Sequence, residues 1–389
     1  MPIQTQIILT LLVTIAVAFI VSFAATPIIK TFAKKVGAMD VPDDSRRVHD
    51  HPIPRLGGLA IFLGFVIAVL LFAEISTQVQ GILLGCVIIV ATGAVDDLIS
   101  LNAWVKFALQ ILAAAVAVMH GLRIDVLMNP AFWMVNEYLI LGKLAVPITI
   151  FWIVAITNSV NLIDGLDGLA VGVSTISSVT MLIIALLVSD ANVALILAAL
   201  AGACIGFMPY NMNPAKIFMG DTGALLLGYV LATVSVMGLF KFYAIVSFAV
   251  PLLALAVPLF DTAFAFIRRL FKGQSPFSAD RGHFHHRLMD MGLNQKQAVA
   301  VLYSISGILG LAAVVIASSD ELRALILILG FCLCALVWAF IYRSVKKSDH
   351  SEAAPPEESE LDAQKDGEMP STKPSDSESI DVPTSQNED

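Results

Sequence analysis

The sequence has few charged residues and few cysteines for its length. Only 14% of its 389 residues are charged, whereas about 25% is usual in a soluble domain. The apolar share is 58%, and it lies in long uncharged blocks. These values exclude a soluble enzyme, a nucleic-acid-binding protein and a disordered scaffold. They leave an integral membrane protein.

Neither a signal peptide nor a disulfide framework is indicated. The N-terminus lacks a basic region, and its apolar stretch from Ile7 to Ile29 is longer than the roughly 7–15 residues of a signal peptide. We therefore interpret it as the first membrane span. The cysteines lie inside apolar runs, which favours buried free thiols. They are Cys86, Cys204, Cys332 and Cys334.

The net charge of −8 comes from the C-terminal end of the chain. Residues 349–389 hold 13 acidic residues and 2 lysines, so this part carries −11 and the rest carries +3. Its Pro, Ser and Glu content cannot form a buried core, which predicts disorder. The predicted organisation is a transmembrane domain at 1–345 followed by an acidic, disordered cytoplasmic tail at 346–389.

Eleven apolar stretches approach the length that a membrane span requires. Because backbone polar groups must be paired inside lipid, each stretch is predicted to be a helix. None shows the alternation of a barrel strand. The predicted fold class is therefore all-α, a polytopic membrane helix bundle. The spans are 6–28, 57–74, 80–95, 104–120, 144–160, 172–189, 193–209, 223–240, 243–266, 300–317 and 322–343.

The distribution of Lys and Arg predicts the orientation. An odd number of spans puts the two termini on opposite sides of the membrane. With the C-terminus inside, 19 Lys and Arg residues fall on inner segments and 4 on outer segments, as the positive-inside rule requires. We therefore expect a multi-pass cell-membrane protein whose N-terminus is outside and whose C-terminus is cytoplasmic.

Polar residues collect in five clusters, and the predicted topology puts all five on the cytoplasmic side. Polar groups near lipid are costly, so their position is informative. We expect a site at this boundary, whereas secondary transporters bind near the midplane between related repeats. The clusters are RRVHDHPIPRLGG (46–58), VDDLISLNAWVK (95–106), NSVNLIDGLDGLA (158–170), YNMNPAKIFMGDTG (210–223) and ADRGHFHHRL (279–288).

The spacing within these clusters favours a magnesium and phosphate site. Asn158, Asn161 and Asp164 lie three residues apart and share a helical stripe, which Asp167 extends only if the helix continues past a glycine. Carboxylate and amide oxygens suit Mg²⁺. Asp221 precedes a predicted helix start, where free N–H groups favour phosphate. Phosphoryl transfer needs mainly positioning and charge neutralisation.

Each cluster also has a simpler interpretation. An Asp pair is common at a helix end, Asp is an ordinary N-cap, and the basic residues serve membrane orientation in any case. The sequence HFHH could bind zinc, but nearby cysteines or carboxylates do not complete a tetrahedral set. Asp261, inside the ninth predicted span, is interpreted as a structural partner of an inner-loop cation.

Taken together, the motifs resemble the polyprenyl-phosphate N-acetylhexosamine-1-phosphate transferases, glycosyltransferase family 4. The likeness covers roughly residues 25–290 and is carried by PIPRLGG, VDDLISLNAWVKF, NSVNLIDGLDGLA, NPAKIFMGDTGALLLGY and RGHFHHRL. The first and last clusters are similar to the WecA-like and TagO-like branch, which uses UDP-N-acetylglucosamine. The peptidoglycan-precursor branch differs at the histidines and after the Asp pair, so its muramoyl-pentapeptide donor is the alternative.

The resemblance implies transfer of N-acetylglucosamine 1-phosphate from UDP-N-acetylglucosamine to undecaprenyl phosphate, with release of UMP. By resemblance, Asn161 and Asp221 hold the metal, which is Mg²⁺ or, in its place, Mn²⁺. Asp96 and Asp97 are the catalytic pair, of which one deprotonates or orients the attacking lipid phosphate. Direct attack is preferred over a covalent carboxylate intermediate. The implied substrate-binding residues are Arg55, Lys106, Asp164, Asp167, Asn211, His283, His285 and His286.

The same resemblance suggests the biological setting. A TagO-like enzyme would start a cell-wall polymer such as teichoic acid, and a homodimer suits the family. We expect no nucleic acid as a partner. Two other classes compete: a transporter or flippase, which moves its substrate without covalent change, and a structural scaffold for wall assembly, in which Asp-to-Asn changes in the clusters are harmless.

Overall fold

The computed structural model describes residues 3–41, 51–128, 138–188, 190–238, 252–271 and 284–318. The chain divides into the units Met1–Ala339 and Phe340–Asp389, and every described residue lies in the first. The span predicted at 322–343 and the tail predicted at 346–389 lie outside the described residues.

Helices dominate the described part of the chain. They are α1 (Ile3–Val36), α2 (Gly58–Phe72), α3 (Thr77–Ile99), α4 (Ala103–Met119), α5 (Ala145–Leu162), α6 (Leu169–Leu187), α7 (Ala191–Asn211), α8 (Gly220–Gly238), α9 (Ala256–Phe271), α10 (Phe284–Asp290) and α11 (Gln295–Ala317). Seven of them are long and apolar enough to cross a membrane, and α2 and α4 are shorter apolar helices. The chain is therefore an all-α polytopic membrane protein.

Helix α8 is buried along nearly its whole length, from Thr222 to Gly238. It contacts α2, α3, α5, α6 and α7. Helix α8 is largely apolar around its circumference, which suits a helix that has neighbours on all sides. The outer helices differ: α1 exposes large apolar side chains such as Ile20 and Ile28, which suit contact with lipid.

Glycines allow α2 and α3 to approach the start of α8 closely. A side chain at Gly58 would collide with the backbone of Gly223, and one at Gly93 would collide with the backbone of Thr222. The N–H of Gly58 also donates to the Met219 carbonyl at 2.9 Å. Small residues at such crossings let helix backbones pack directly in a membrane protein. The start of α8 is thereby fixed from two sides.

Two short antiparallel hairpins interrupt the helical pattern, and the sequence analysis missed both. The strands are β1 (Met39–Asp40) with β2 (Ile53–Pro54), and β3 (Val126–Met128) with β4 (Tyr138–Ile140). Strands of two or three residues are too short to show a readable alternation. The first hairpin matters for the site, because the Pro54 carbonyl accepts the N–H of Phe218 at 2.8 Å.

Several helix ends differ from the predicted spans. Helix α1 continues to Val36, well past the predicted end at residue 28. Helix α3 reaches Ile99, so the Asp pair lies in its last turn. Helix α5 ends at Leu162, and the predicted polar stripe therefore stops at Asn161, because Asp164 lies in the turn that follows.

Candidate active site

Asp221 is bound from two directions by residues of other helices. Its Oδ2 accepts the Lys106 ammonium group at 2.7 Å, and its Oδ1 accepts the Asn161 amide at 3.1 Å. Lys106 is in the first turn of α4, Asn161 in the last turn of α5, and Asp221 in the first turn of α8. The fold thus brings together three of the predicted site residues.

The two members of the Asp pair have different surroundings. Asp96 accepts Lys106 at 3.0 Å through Oδ2 and the N–H of Leu101 at 2.7 Å through Oδ1. It therefore fixes the turn between α3 and α4 and holds the ammonium group that reaches Asp221. Asp97 points instead toward the start of α8.

Asp97 caps α8 from outside that helix. Its Oδ1 accepts the N–H of Asp221 at 3.0 Å, and its Oδ2 accepts the N–H and hydroxyl of Thr222 at 3.1 and 2.6 Å. The N–H of Gly223 donates to the Met219 carbonyl. The expectation of free N–H groups here was therefore wrong, since a buried carboxylate occupies them.

The loop after α5 contributes two carboxylates with separate roles. Burial, reinforced by the charges of Asp221, Asp97 and Asp167, raises the pKa of Asp164 to about 8. Asp167 accepts the Asn213 amide and the N–H of Ala215, both at 3.0 Å through Oδ2. Asp167 therefore holds the segment after α7, whereas the surroundings of Asp164 favour its neutral form.

Asn211 offers an unused acceptor. The residue is 3% exposed, and its amide nitrogen donates to the Ile217 carbonyl at 3.1 Å. Its Oδ1 has no hydrogen-bond partner among the described residues. A buried acceptor without a partner is costly. A ligand N–H or O–H in the adjoining cavity would satisfy it.

The histidine motif packs behind the loop that follows α5. His285 is 3% exposed and fills the space beside Gly165, where a side chain would collide with the imidazole ring. The ring centroids of His285 and His286 are 4.3 Å apart. The third predicted histidine, His283, lies outside the described residues.

The hairpin of β1 and β2 positions Arg55. The guanidinium group of Arg55 forms an ion pair with Asp40. The backbone N–H of Arg55 donates to the Ala38 carbonyl at 2.9 Å. The hairpin of β1 and β2 makes this pairing possible, because Asp40 faces Ile53 across the strands. Arg55 is also close enough to Asp164 to oppose the rise in its pKa.

A cavity of about 380 Å³ joins these groups. Among the predicted residues that the structure describes, four do not line it: Asp96 and Lys106, which contact Asp221, and His285 and His286, which lie behind Gly165. Most of the predicted residues do line it, together with residues that the sequence analysis did not assign to the site. Asn213 lay within a noted motif, whereas nothing in the sequence marked Asp40 or Gln295. The lining residues are Asp40, His51, Ile53, Arg55, Asp97, Asn161, Asp164, Gly165, Leu166, Asp167, Asn211, Asn213, Pro214, Ala215, Phe218, Gly220, Asp221 and Gln295.

The donor set fits a magnesium ion completed by water and phosphate. Among the described residues no three His, Cys, Asp or Glu side chains form a metal cage, but Mg²⁺ usually takes only one or two carboxylates from the protein. Asp221 and the Asn161 amide, turned over to present its oxygen, provide such a set. The cavity lining includes five carboxylates and a single Arg, so an anionic substrate needs a further cation there.

Fold and site together define a polytopic membrane protein with an acidic, phosphate-compatible cavity at one end of its helix bundle. A model of the family described as Glycosyl transferase family 4 matches residues 79–239. The chain belongs to this family, and specifically to its polyprenyl-phosphate N-acetylhexosamine-1-phosphate transferases. The resemblance stated from the motifs is thereby confirmed.

Three relatives support this membership. A Bacillus subtilis protein described as a probable undecaprenyl-phosphate N-acetylglucosaminyl 1-phosphate transferase is 42% identical over 324 residues, covering 82% of this chain and 89% of that protein. A decaprenyl-phosphate N-acetylglucosaminephosphotransferase of Mycobacterium tuberculosis is 36% identical, with coverages of 76% and 80%. An undecaprenyl-phosphate alpha-N-acetylglucosaminyl 1-phosphate transferase of Thermotoga maritima is 32% identical, with coverages of 74% and 84%.

Proposed function

We propose that the chain transfers N-acetylglucosamine 1-phosphate from UDP-N-acetylglucosamine to undecaprenyl phosphate and releases UMP. The observation that carries this proposal is the contact of Lys106 and Asn161 with Asp221 beside an acidic cavity. The names of the relatives support the donor and the acceptor. The reaction forms a P–O bond from the lipid phosphate oxygen to the sugar-bearing phosphorus and breaks the bond to UMP.

Lys106 is suited to receive the lipid phosphate. Its side chain is about a quarter exposed, and the neighbouring Ile99, Trp104 and Phe107 are exposed apolar side chains at the ends of α3 and α4. A polyprenyl chain in the bilayer would pass along these side chains and bring its phosphate to the ammonium group. Asp96 holds the ammonium group in place while it donates to a phosphate oxygen, which assists attack without a covalent enzyme intermediate.

The nucleotide would bind on the other side of Asp221, within the cavity. Asn211 offers an acceptor and Arg55 offers a cation. His285, with His286 beside it, packs against Gly165 in the loop of Asp164. Of the predicted catalytic pair, Asp96 contacts the lysine that faces the lipid phosphate, and Asp97 supports the residue at the metal position. Mg²⁺, held by Asp221 and Asn161, would neutralise charge on the diphosphate and so make it a better electrophile.

We further propose eleven spans, an external N-terminus and a cytoplasmic site. The ends of α3, α5 and α7 and the beginnings of α4, α6 and α8 meet at the cavity, as expected for helices that alternate in direction. The Lys and Arg bias assigns this end of the bundle to the cytoplasm. Reporter fusions after α2 and after α8 test the orientation. A cytoplasmic signal after α2 would contradict it.

A donor screen with the purified protein tests the function. The protein in detergent, with undecaprenyl phosphate and Mg²⁺, should release UMP from UDP-N-acetylglucosamine and form a labelled lipid. Release from the muramoyl-pentapeptide donor alone would assign the chain to peptidoglycan synthesis. Uptake into vesicles without a covalent product would support a transporter. The product, on the proposal, starts a teichoic acid or related wall polymer, and a homodimer is the proposed assembly.

A further inference from the structure

Asp261, on α9, accepts a hydrogen bond from the helix that carries the histidine motif. Its predicted ion pair with an inner-loop cation stays a prediction. Asp261 is 2% exposed and lies near the middle of α9, between apolar residues of the first turns and the Arg268–Arg269 pair of the last turn. Its Oδ1 accepts the backbone N–H of Phe284 at 2.8 Å. Phe284 is the first residue of α10, the short helix that carries His285 and His286. The carboxylate therefore holds the start of the histidine helix.

Helix α10 packs against a loop that lines the cavity. His285 lies against Gly165 and leaves no room for a side chain there. Gly165 and Asp164 both line the cavity. A shift of α10 would withdraw His285 from this loop and leave the cavity-lining residues Asp164 and Gly165 without that packing contact.

A second contact joins α9 to α10 but is less buried. The ring of Phe264, three residues after Asp261, lies 6.1 Å from the ring of Phe284, and the Arg287 guanidinium lies 4.7 Å from the Phe264 centroid. Phe264 is 41% exposed. The aromatic contact is therefore weakly shielded, and the hydrogen bond of the buried carboxylate fixes the register of α10 against α9.

We propose that Asp261 is a positioning residue for nucleotide binding, acting as a hydrogen-bond acceptor for Phe284 and through it on His285. This inference rests on the proposed function for its kinetic test. This contact requires a side-chain oxygen at position 261. Asn in place of Asp presents the same acceptor, whereas Ala presents none.

The kinetic test compares Asp261→Asn with Asp261→Ala in the full-length protein. Asp261→Ala should raise the KM for UDP-N-acetylglucosamine about tenfold, as expected for loss of one capping hydrogen bond, and leave the KM for undecaprenyl phosphate unchanged. Asp261→Asn should stay close to the wild type. Ser177→Ala is the matched control, because Ser177 donates to the Ala254 carbonyl at 2.6 Å near α9 without touching α10.

A second readout does not depend on activity. Diethylpyrocarbonate should leave His285 unmodified in the wild type and in Asp261→Asn, but should modify it in Asp261→Ala, as measured by peptide mass spectrometry. A folded Asp261→Asn that is as impaired as Asp261→Ala would overturn the proposal, since charge would then be what matters. Protection of His285 in Asp261→Ala would also overturn it. If the wild type releases no UMP, the proposed function fails, and the labelling still decides the role of Asp261.

Discussion

The carboxylate of Asp97 accepts the backbone N–H of Asp221 at 3.0 Å. The last turn of α3 is thereby joined to the first turn of α8, and the other Asp97 oxygen accepts both polar hydrogens of Thr222. A side chain at Gly220 would collide with this carboxylate, and Gly220 has a φ of +67°, a conformation that favours glycine. The backbone of Asp221, the predicted metal ligand, is therefore held by one member of the predicted catalytic pair.

Asp97→Asn should lower both stability and activity. An amide can replace only one of the two acceptor oxygens, and its NH₂ group would face a backbone donor. The cost of a buried donor without a partner is about 1–3 kcal/mol, which thermal unfolding in detergent can measure. Asp190→Asn is the control, because Asp190 caps α7 at the end remote from Asn211 and Asn caps equally well. An Asp97→Asn protein with wild-type stability would contradict the capping role.

Lys106→Met should reduce transfer about 100-fold, a loss comparable to removal of one preorganised donor from an active site. The ammonium group joins Asp96 to Asp221, and without it two carboxylates face the incoming phosphate. UMP release measures the effect. Lys143→Met, which removes a lysine before α5, should have no effect. Activity above half of wild type in Lys106→Met would remove Lys106 from the site.

Asp221→Ala should abolish transfer while leaving membrane insertion intact. The same variant should lose the rise in thermal stability that Mg²⁺ gives to the wild type, since a cation that binds the folded state stabilises it. Titration of Mg²⁺ after EDTA treatment, with thermal unfolding as the readout, measures this. Normal turnover in Asp221→Ala would end the metal assignment.

The pKa of Asp164 predicts a pH dependence of stability in the metal-free protein. Because the folded-state pKa of about 8 lies above the ordinary value of 3.8, the folded state binds the proton more tightly than the unfolded state. The stability that protonated Asp164 contributes to the folded state is therefore lost as the pH rises from about 4 to about 8. Asp164→Asn should flatten this part of the profile of unfolding temperature against pH in EDTA. An unchanged slope would assign the dependence to another group.

Gly58→Ala should destabilise the protein by about 3 kcal/mol, at the upper end of overpacking costs. The added methyl would meet the backbone of Gly223, which cannot move without shifting α8. Gly307→Ala, also within a helix but with open space around it, should instead stabilise by about 0.5–1 kcal/mol. Equal unfolding temperatures for the two variants would refute the close crossing of α2 and α8.

The site was predictable to the extent that its residues lie in dense motifs. Asp96, Asp97, Asn161 and Asp221 stood out because polar residues beside long apolar runs are costly. Gln295 and Asp40 did not, since each lies outside the five clusters and only folding brings it to the cavity. The hydrogen bond between Asp261 and Phe284 could not be predicted from the sequence either, because the two residues are 23 positions apart in the chain.

Composition alone determined that the chain crosses the membrane as helices, since uncharged apolar segments of this length leave the backbone no other way to pair its polar groups in lipid. Motif order alone determined the family. Only the tertiary structure decided that Asp97 caps α8 while Asp96 holds Lys106. Neighbouring residues on a helix point about 100° apart, and the helices packed against them, not the sequence of the pair, determine what each carboxylate meets.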